Sequence, residues 1–173
     1  MDYGVVLYFD DATEAKFRGL MEQLACDKTN RYMIDNKIPP HTTICMFSTS
    51  EISKAEHVIC AHIQEFAQCE LTWASVGTFI PQVLFAAPVV NQQLIDACKI
   101  MNGLLEPVVD GLHGYYQYNS WVPLTTLVTK MTMEELLYAF EAASREFTPL
   151  TGFANRIALV ECNPYRELRV WQL

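Results

Sequence analysis

The chain is of moderate length, apolar and acidic. It has 173 residues, of which 51% are hydrophobic and 18% charged, and its formal net charge at pH 7 is −8. This size and composition favour one globular domain with a substantial core. The acidic balance argues against a protein that holds a long nucleic acid, because such binding needs clustered Lys and Arg. A short anionic ligand is compatible with it.

Targeting and membrane signals are weak. Asp2, Asp10 and Asp11 interrupt the start of the chain, and apolar runs such as LFAAPVV are too short to span a bilayer. The six cysteines contain no CxxC pair, which favours reduced, mostly buried thiols. We therefore expect a soluble cytosolic protein that does not enter a membrane.

The first half of the chain predicts strand, helix, strand, helix, strand. The run YGVVLYF is a strand, and Asp11 with Glu14 indicates a helix start. Residues 32–40 are a connector whose two prolines lead into the strand HTTICMF. Thr49 or Ser50 is the candidate cap of a second helix, and LTWASVGTFI is the next strand.

The second half predicts the same order. A strand VLFAAPVV precedes a helix from about Asn91, and PLTTLVTK is again a strand led by proline. The pattern T-M-E-E from Thr132 is a capping box for a helix whose apolar face is predicted to be Leu136, Leu137, Phe140, Ala143 and Phe147. The strands FANRIALVEC and ELRVWQL end the chain around an Asn-Pro turn.

The two halves are related by an offset of roughly 80 residues, which is too long, and repeated too few times, for a solenoid. Residues of about 3–80 and 83–162 are therefore predicted to form the two lobes of one α+β domain with pseudo-two-fold symmetry. We expect antiparallel-rich sheets around a central cleft and helices on the outside. Such a cleft is a common place for a small-molecule site.

One stretch of each half has residues that suit chemistry. The first strand after a proline pair begins His41-Thr42-Thr43, and its counterpart reads Leu124-Thr125-Thr126. Alternate side chains of a strand share a face. His41 and Thr43 are therefore expected to face the cleft together with Leu124 and Thr126, while Thr42 and Thr125 point away.

Paired proline-led PxHxT motifs in a duplicated α+β domain resemble the 2H phosphoesterase superfamily, which includes 2′-5′ RNA ligase-like proteins and cyclic nucleotide phosphodiesterases. The resemblance implies two histidines acting as general acid and base on a 2′,3′-cyclic or 2′,5′ phosphodiester. It also implies two hydroxyls that hold phosphoryl oxygens, with no metal or cofactor. On this resemblance His41, Thr43 and Thr126 are the catalytic candidates.

Leu124 departs from the family's pattern, because it stands where the second histidine belongs and cannot transfer a proton. Losing a positioned acid or base typically costs on the order of 10²- to 10⁴-fold in rate. Three interpretations stay open. The favoured one is a degenerate member that binds a small phosphate-bearing or nucleotide ligand. The others are an active enzyme in which His113, a water or a Tyr replaces the lost group, and a structural or partner-binding domain.

The loop before the second motif is rich in aromatic residues. Such side chains can stack on a base or pack as a lid, and the sequence does not decide between these roles. His113 lies in this loop, and Lys130 follows the second strand within reach of a phosphate. The candidate ligand-binding residues are Tyr115, Tyr118, Trp121, His113 and Lys130.

Overall fold

The computed structural model describes residues 1–26 and 28–173. Among these residues, the first half contains three strands and three α-helices. In chain order they are β1 (Asp2–Phe9), α1 (Asp11–Leu24), α2 (Tyr32–Asp35), β2 (His41–Ser48), α3 (Ile52–His62) and β3 (Cys69–Phe79). The order strand, helix, strand, helix, strand confirms the prediction, with the short α2 inside the expected connector.

The second half repeats this order and adds two strands. Its elements are β4 (Val83–Pro88), α4 (Gln92–Leu105), β5 (Gly111–Leu112), β6 (Thr125–Val128), α5 (Met133–Glu146), β7 (Leu150–Cys162) and β8 (Tyr165–Gln172). The short β5 lies in the aromatic loop. The final hairpin β7–β8 extends the repeat.

The described strands form one eight-stranded sheet whose pairings are antiparallel. Its order is β1-β2-β6-β4-β3-β7-β8, with β5 paired to β2. β1 also pairs with β7, from Tyr3 with Glu161 to Phe9 with Ala154. Following the pairings from β1 through β2, β6, β4, β3 and β7 therefore leads back to β1, so strands of both halves form one closed arrangement. The predicted α+β class with antiparallel strands around a cleft is confirmed.

The core lies between the sheet and the helices that cover it. Trp73 of β3 is fully buried, and its ring packs edge-on against Phe9 of β1 and Phe17 of α1, with centroids 4.8 and 4.9 Å away. α4 packs on β2, and α1 packs on β6 and β7. The opposite face of β1, β2 and β7 is left for the cleft.

Local capping follows the sequence at two helices and departs from it at two others. The Thr132–Glu135 capping box is present in α5, and Asn91 caps α4. α1 is capped by Asp10 rather than Asp11, because the Asp10 carboxylate accepts from the backbone N–H groups of Ala12 and Thr13. The prediction that Thr49 or Ser50 caps α3 was wrong: Glu51 is at the N-cap without a side-chain cap, and Thr49 Oγ1 only accepts from the Glu51 N–H.

The apolar face predicted for α5 was partly wrong. Leu136 and Ala143 are buried, but Leu137 is 65% exposed and Phe140 is 41% exposed. Ala139 is buried instead. Of the helices in the described residues, none is long and apolar enough to cross a membrane.

Candidate functional site

The two motif strands meet at one buried threonine pair. Within the described residues, β2 and β6 pair at Thr42 and Thr125, whose hydroxyl oxygens are 3.0 Å apart. Both side chains are fully buried, and the Trp73 indole N–H donates to Thr125 Oγ1 at 3.0 Å. The prediction that these two threonines point away from the cleft is confirmed.

This pairing sets the arrangement of the candidate catalytic residues. In an antiparallel pair, stepping forward on one strand means stepping back on the other. Extending the Thr42–Thr125 register by one residue places Thr126 beside His41, and Leu124 beside Thr43. The junction is thus pseudo-symmetric: on one side the His41 imidazole lies beside the Thr126 hydroxyl, and on the other Leu124 lies beside the Thr43 hydroxyl.

The face opposite the buried threonines is a cleft of about 440 Å³. His41, Thr43 and Thr126 all line it, as the alternation of strand residues predicts. β2 has a β-bulge opposite Val5 and Val6 of β1, where the register between the two strands shifts. Because of this extra residue, Met46 lies on the cleft face together with His41 and Thr43. The remaining wall comes from β1, the α2 region and the β7–β8 turn.

The imidazole of His41 is held in one tautomer. Its Nδ1 lies 2.7 Å from the carbonyl oxygen of Pro39, and since a carbonyl can only accept, Nδ1 carries the proton. Burial lowers the pKa of His41 below its usual value, and the hydrogen bond to Pro39 offsets this in part. The ring is therefore neutral near pH 7, with Nε2 as an acceptor.

Two tyrosines that the sequence analysis missed pack around this imidazole. The Tyr165 ring stacks on His41 with centroids 5.7 Å apart, and the Tyr8 ring meets it edge-on at 6.4 Å. Their hydroxyl oxygens are 2.6 Å apart. Burial is the main cause that raises the pKa of each phenol. Only the β7–β8 hairpin brings Tyr165 here, and no local pattern signals it.

Leu124 is half-buried and lies immediately before β6, one residue outside the strand that was predicted to include it. It does not line the cleft, so the prediction that it faces the cleft beside His41, Thr43 and Thr126 was wrong for this residue, which lies just before the strand begins. Trp121 holds this segment against β2, because its indole N–H donates to the Thr43 carbonyl oxygen at 3.0 Å. Trp121 thus acts on the backbone of the first motif, rather than on a ligand in the open cleft.

The other predicted ligand residues divide into two groups. Lys130 lines the cleft, with its Nζ 3.5 Å from the centre of the Tyr32 ring. Tyr115 is 86% exposed and does not line the cleft, and Tyr118 borders a separate depression beside α4. Tyr116 of the same loop lines the cleft instead.

His113 lies at the other end of β2 from His41. Its backbone N–H donates to the Met46 carbonyl, and its Nε2 is 3.1 Å from Ser48 Oγ and 3.3 Å from Asp2 Oδ1. At about 3.3 Å per strand residue, Met46 is roughly 16 Å from His41. This separation is too long for His113 and His41 to act on the same phosphorus atom.

Comparison with known proteins shows a shared fold at low sequence identity. A structure described as a phosphoesterase aligns at a TM-score of 0.66 with 12% identity, over 99% of this chain and 98% of that one. TT0787 of Thermus thermophilus aligns at 0.67 with 14% identity, over 100% and 98%. E. coli LigT complexed with NADP+ aligns at 0.64 with 13% identity, over 99% and 96%.

E. coli LigT has also been solved with 3′-AMP and with phosphate. No protein-family model and no curated protein sequence matches the chain, so these likenesses are structural. They establish that the whole chain has the fold of LigT-type phosphoesterases.

Proposed function

We propose that the chain is a degenerate 2H phosphoesterase-like protein whose cleft binds a small phosphate-bearing or nucleotide ligand with little or no turnover. The observation that carries this proposal is the Thr42–Thr125 junction. It gathers His41, Thr43 and Thr126 on one cleft face and sets Leu124 where a second imidazole would complete the symmetry.

The polar groups of the cleft suit a phosphate next to a hydroxyl. The Thr43 and Thr126 hydroxyls can donate to phosphoryl oxygens. Lys130 adds a positive charge at the same cleft. His41 Nε2 has no hydrogen-bond partner among the described residues, so it is free to accept a proton from a hydroxyl of the ligand or from a water molecule.

The same geometry supplies one imidazole base without a second imidazole to act as its acid. General acid-base catalysis works best when the pKa of each group is near the operating pH. Tyr165 and Tyr116 line the cleft, but burial raises the pKa of both phenols, which makes them poor proton donors. Departure of an alkoxide from phosphorus would lack protonation, and we infer that turnover is slow for this reason.

The structural neighbours support the choice of ligand. E. coli LigT, which shares the fold, has been solved with NADP+, 3′-AMP, phosphate and ATP. These ligands have a phosphoryl group in common, and we propose that the cleft of the present chain binds the same chemical class.

The test combines binding and turnover. Binding of inorganic phosphate and of 3′-AMP is measured by calorimetry, and hydrolysis of 2′,3′-cyclic AMP is followed by chromatography. We expect wild type to bind and to hydrolyse slowly or not at all, and His41→Ala to bind more weakly. Leu124→His should hydrolyse at least about 10²-fold faster than wild type, because the register puts residue 124 beside Thr43 and we expect the longer imidazole to reach the cleft and serve as the missing acid.

Two controls match these substitutions in chemistry. Leu137→His places the same new side chain on the exposed face of α5, and His57→Ala removes an exposed histidine from α3. Neither should change binding or hydrolysis. If wild type hydrolyses rapidly and His41→Ala does not, the proposal of little or no turnover is wrong and another residue must act as the acid. Absence of any binding would favour a structural or partner-binding domain.

A further inference from the structure

The cleft has a second polar end that the phosphate proposal leaves unused. It is formed by Asp2 of β1, with Ser48 and His113 behind it. Ser48 Oγ donates to Asp2 Oδ1 at 2.6 Å, and His113 Nε2 lies 3.3 Å from the same oxygen. Asp2 itself lines the cleft.

These contacts orient one carboxylate oxygen and leave the other free. Both are made to Oδ1, and within the described residues no hydrogen bond reaches Oδ2. The Ser48 hydrogen bond is the main cause that lowers the pKa of Asp2, against a smaller effect of desolvation. The carboxylate is therefore ionised near neutral pH and acts only as an acceptor.

The two ends of the cleft are separated by the length of a nucleotide. Val6 pairs with Thr43, and Asp2 pairs with Ser48 at the other end of the register. Asp2 and Val6 are four residues apart on β1, which at about 3.3 Å per residue is roughly 13 Å. A phosphate held between Thr43 and Thr126 would place the far edge of an attached base close to Asp2.

The surface between the ends is mostly apolar. It is formed by Gly4 and Val6 of β1 with Val160 and Cys162 of β7, and Tyr116 contributes to the wall. Gly4 leaves bare backbone in the middle of this floor. A Cβ there would first meet Val160 Cγ2 at 3.4 Å and Cys162 Sγ at 3.6 Å, which are ordinary contact distances, so a Cβ can be added without disturbing the sheet. A planar base can lie on such a surface.

We propose that Asp2 selects the base of the ligand and that the preferred ligand is a guanine nucleotide, an inference that rests on the proposed phosphate site. The Watson–Crick edge of guanine presents two adjacent donors, N1–H and the N2 amino group, to an acceptor-only carboxylate. Adenine and cytosine place an acceptor beside their amino group. Uracil flanks its single donor with two acceptors, which a carboxylate repels.

The experiment measures the affinities of 3′-GMP, 3′-AMP, 3′-CMP and 3′-UMP by calorimetry, together with inorganic phosphate. Wild type should bind 3′-GMP at least about tenfold more tightly than the other three, as expected for a charge-assisted hydrogen bond. Asp2→Asn should lose this preference and keep its affinity for inorganic phosphate. Asp96→Asn is the control, because it removes the same charge from an exposed position on α4.

A second variant tests the floor. Gly4→Val should weaken all four nucleotides and leave inorganic phosphate unchanged, because its side chain occupies the base position only. If wild type binds the four nucleotides equally, or Asp2→Asn keeps the preference for guanine, the inference is wrong and the phosphate site stands. If neither phosphate nor any nucleotide binds wild type, the proposed function fails and the inference fails with it.

Discussion

At the scale of single residues, His41 is the side chain whose environment most affects its chemistry. It is half-buried, hydrogen-bonded at Nδ1 to Pro39 and enclosed by the rings of Tyr8 and Tyr165. Burial penalises the imidazolium and lowers the pKa. The histidine that can act as a base in the cleft is therefore also one that resists protonation in the folded state.

This environment makes the stability of the protein depend on pH. In the folded state, His41 is protonated only at a lower pH than in the unfolded state, where its pKa is the ordinary 6.5. Between the two pKa values the unfolded state binds more protons, so the free energy of unfolding falls as pH is lowered from 6.5 to the folded pKa. A folded-state pKa that is one pH unit below the unfolded-state pKa lowers the free energy of unfolding by about 1.4 kcal/mol across this pH range.

His41→Gln should remove this part of the pH dependence, which urea unfolding at several pH values between 4 and 8 measures. The control is His57→Gln, which replaces an exposed histidine on α3. The free energy of unfolding of His57→Gln should vary with pH as that of wild type does. For His41→Gln it should vary less below pH 6.5. Equal slopes for wild type and His41→Gln would contradict a lowered pKa.

The sequence predicted the site residues that depend on local alternation. His41, Thr43 and Thr126 face the cleft because strand periodicity puts them there. It could not predict Tyr165 and Asp2, because each reaches the cleft through pairing between strands distant in sequence. It placed Tyr118 in the ligand set for its aromatic ring alone, and the loop turns that ring toward α4.

At the scale of elements, the junction of β2 and β6 depends on buried hydroxyls. Thr125 Oγ1 accepts from the Trp73 indole and lies 3.0 Å from the Thr42 hydroxyl oxygen. Thr125→Val leaves both of these groups without a partner in the core, whereas Thr42→Val leaves the Trp73 bond in place. We expect Thr125→Val to cost about 1–3 kcal/mol, and more than Thr42→Val.

Chemical denaturation of the two single variants and of the double variant gives the coupling energy of the pair. Thr72 and Thr151 provide the comparison, because their hydroxyl oxygens are 2.9 Å apart across β3 and β7 but exposed to solvent. Thr151→Val should therefore be nearly neutral. A similar cost for Thr151→Val and Thr125→Val would mean that burial of the junction contributes nothing.

Helix α5 shows why elements are easier to predict than their orientation. The capping box predicted where it begins, because a cap is a local hydrogen-bond pattern. The apolar residues of α5 are compatible with more than one inward face, and periodicity does not choose between them. The sheet selects the face with Ala139 and Ala143, which leaves Leu137 and Phe140 exposed.

At the scale of the whole molecule, the order of elements was predictable from the repeat, but the closure of the sheet was not. The pairing of β1 with β7 joins the start of the chain to its last long strand. This pairing joins segments about 150 residues apart, so no local sequence pattern predicts it. α1 reinforces it from outside, since Asp10 accepts from the backbone N–H of Phe153 at 2.8 Å.

Gly152 of β7 is a position where α1 packs very closely on the sheet. A Cβ there would lie 1.8 Å from Thr13 Oγ1 and 2.8 Å from Thr13 Cβ, and Thr13 is buried and donates to Asp10 at 2.6 Å. Gly152→Ala must push α1 away from β7, so we expect it to lower the free energy of unfolding by about 1–3 kcal/mol.

Gly103 is the matched control, because a Cβ at this exposed position in α4 meets nothing within 4 Å. Gly103→Ala should raise stability by about 0.5–1 kcal/mol, as alanine loses less backbone entropy than glycine in a helix. Thermal unfolding of the two variants should thus shift Tm in opposite directions. If Gly152→Ala left Tm unchanged, the close packing of α1 on β7 would not be needed to join the two ends of the chain.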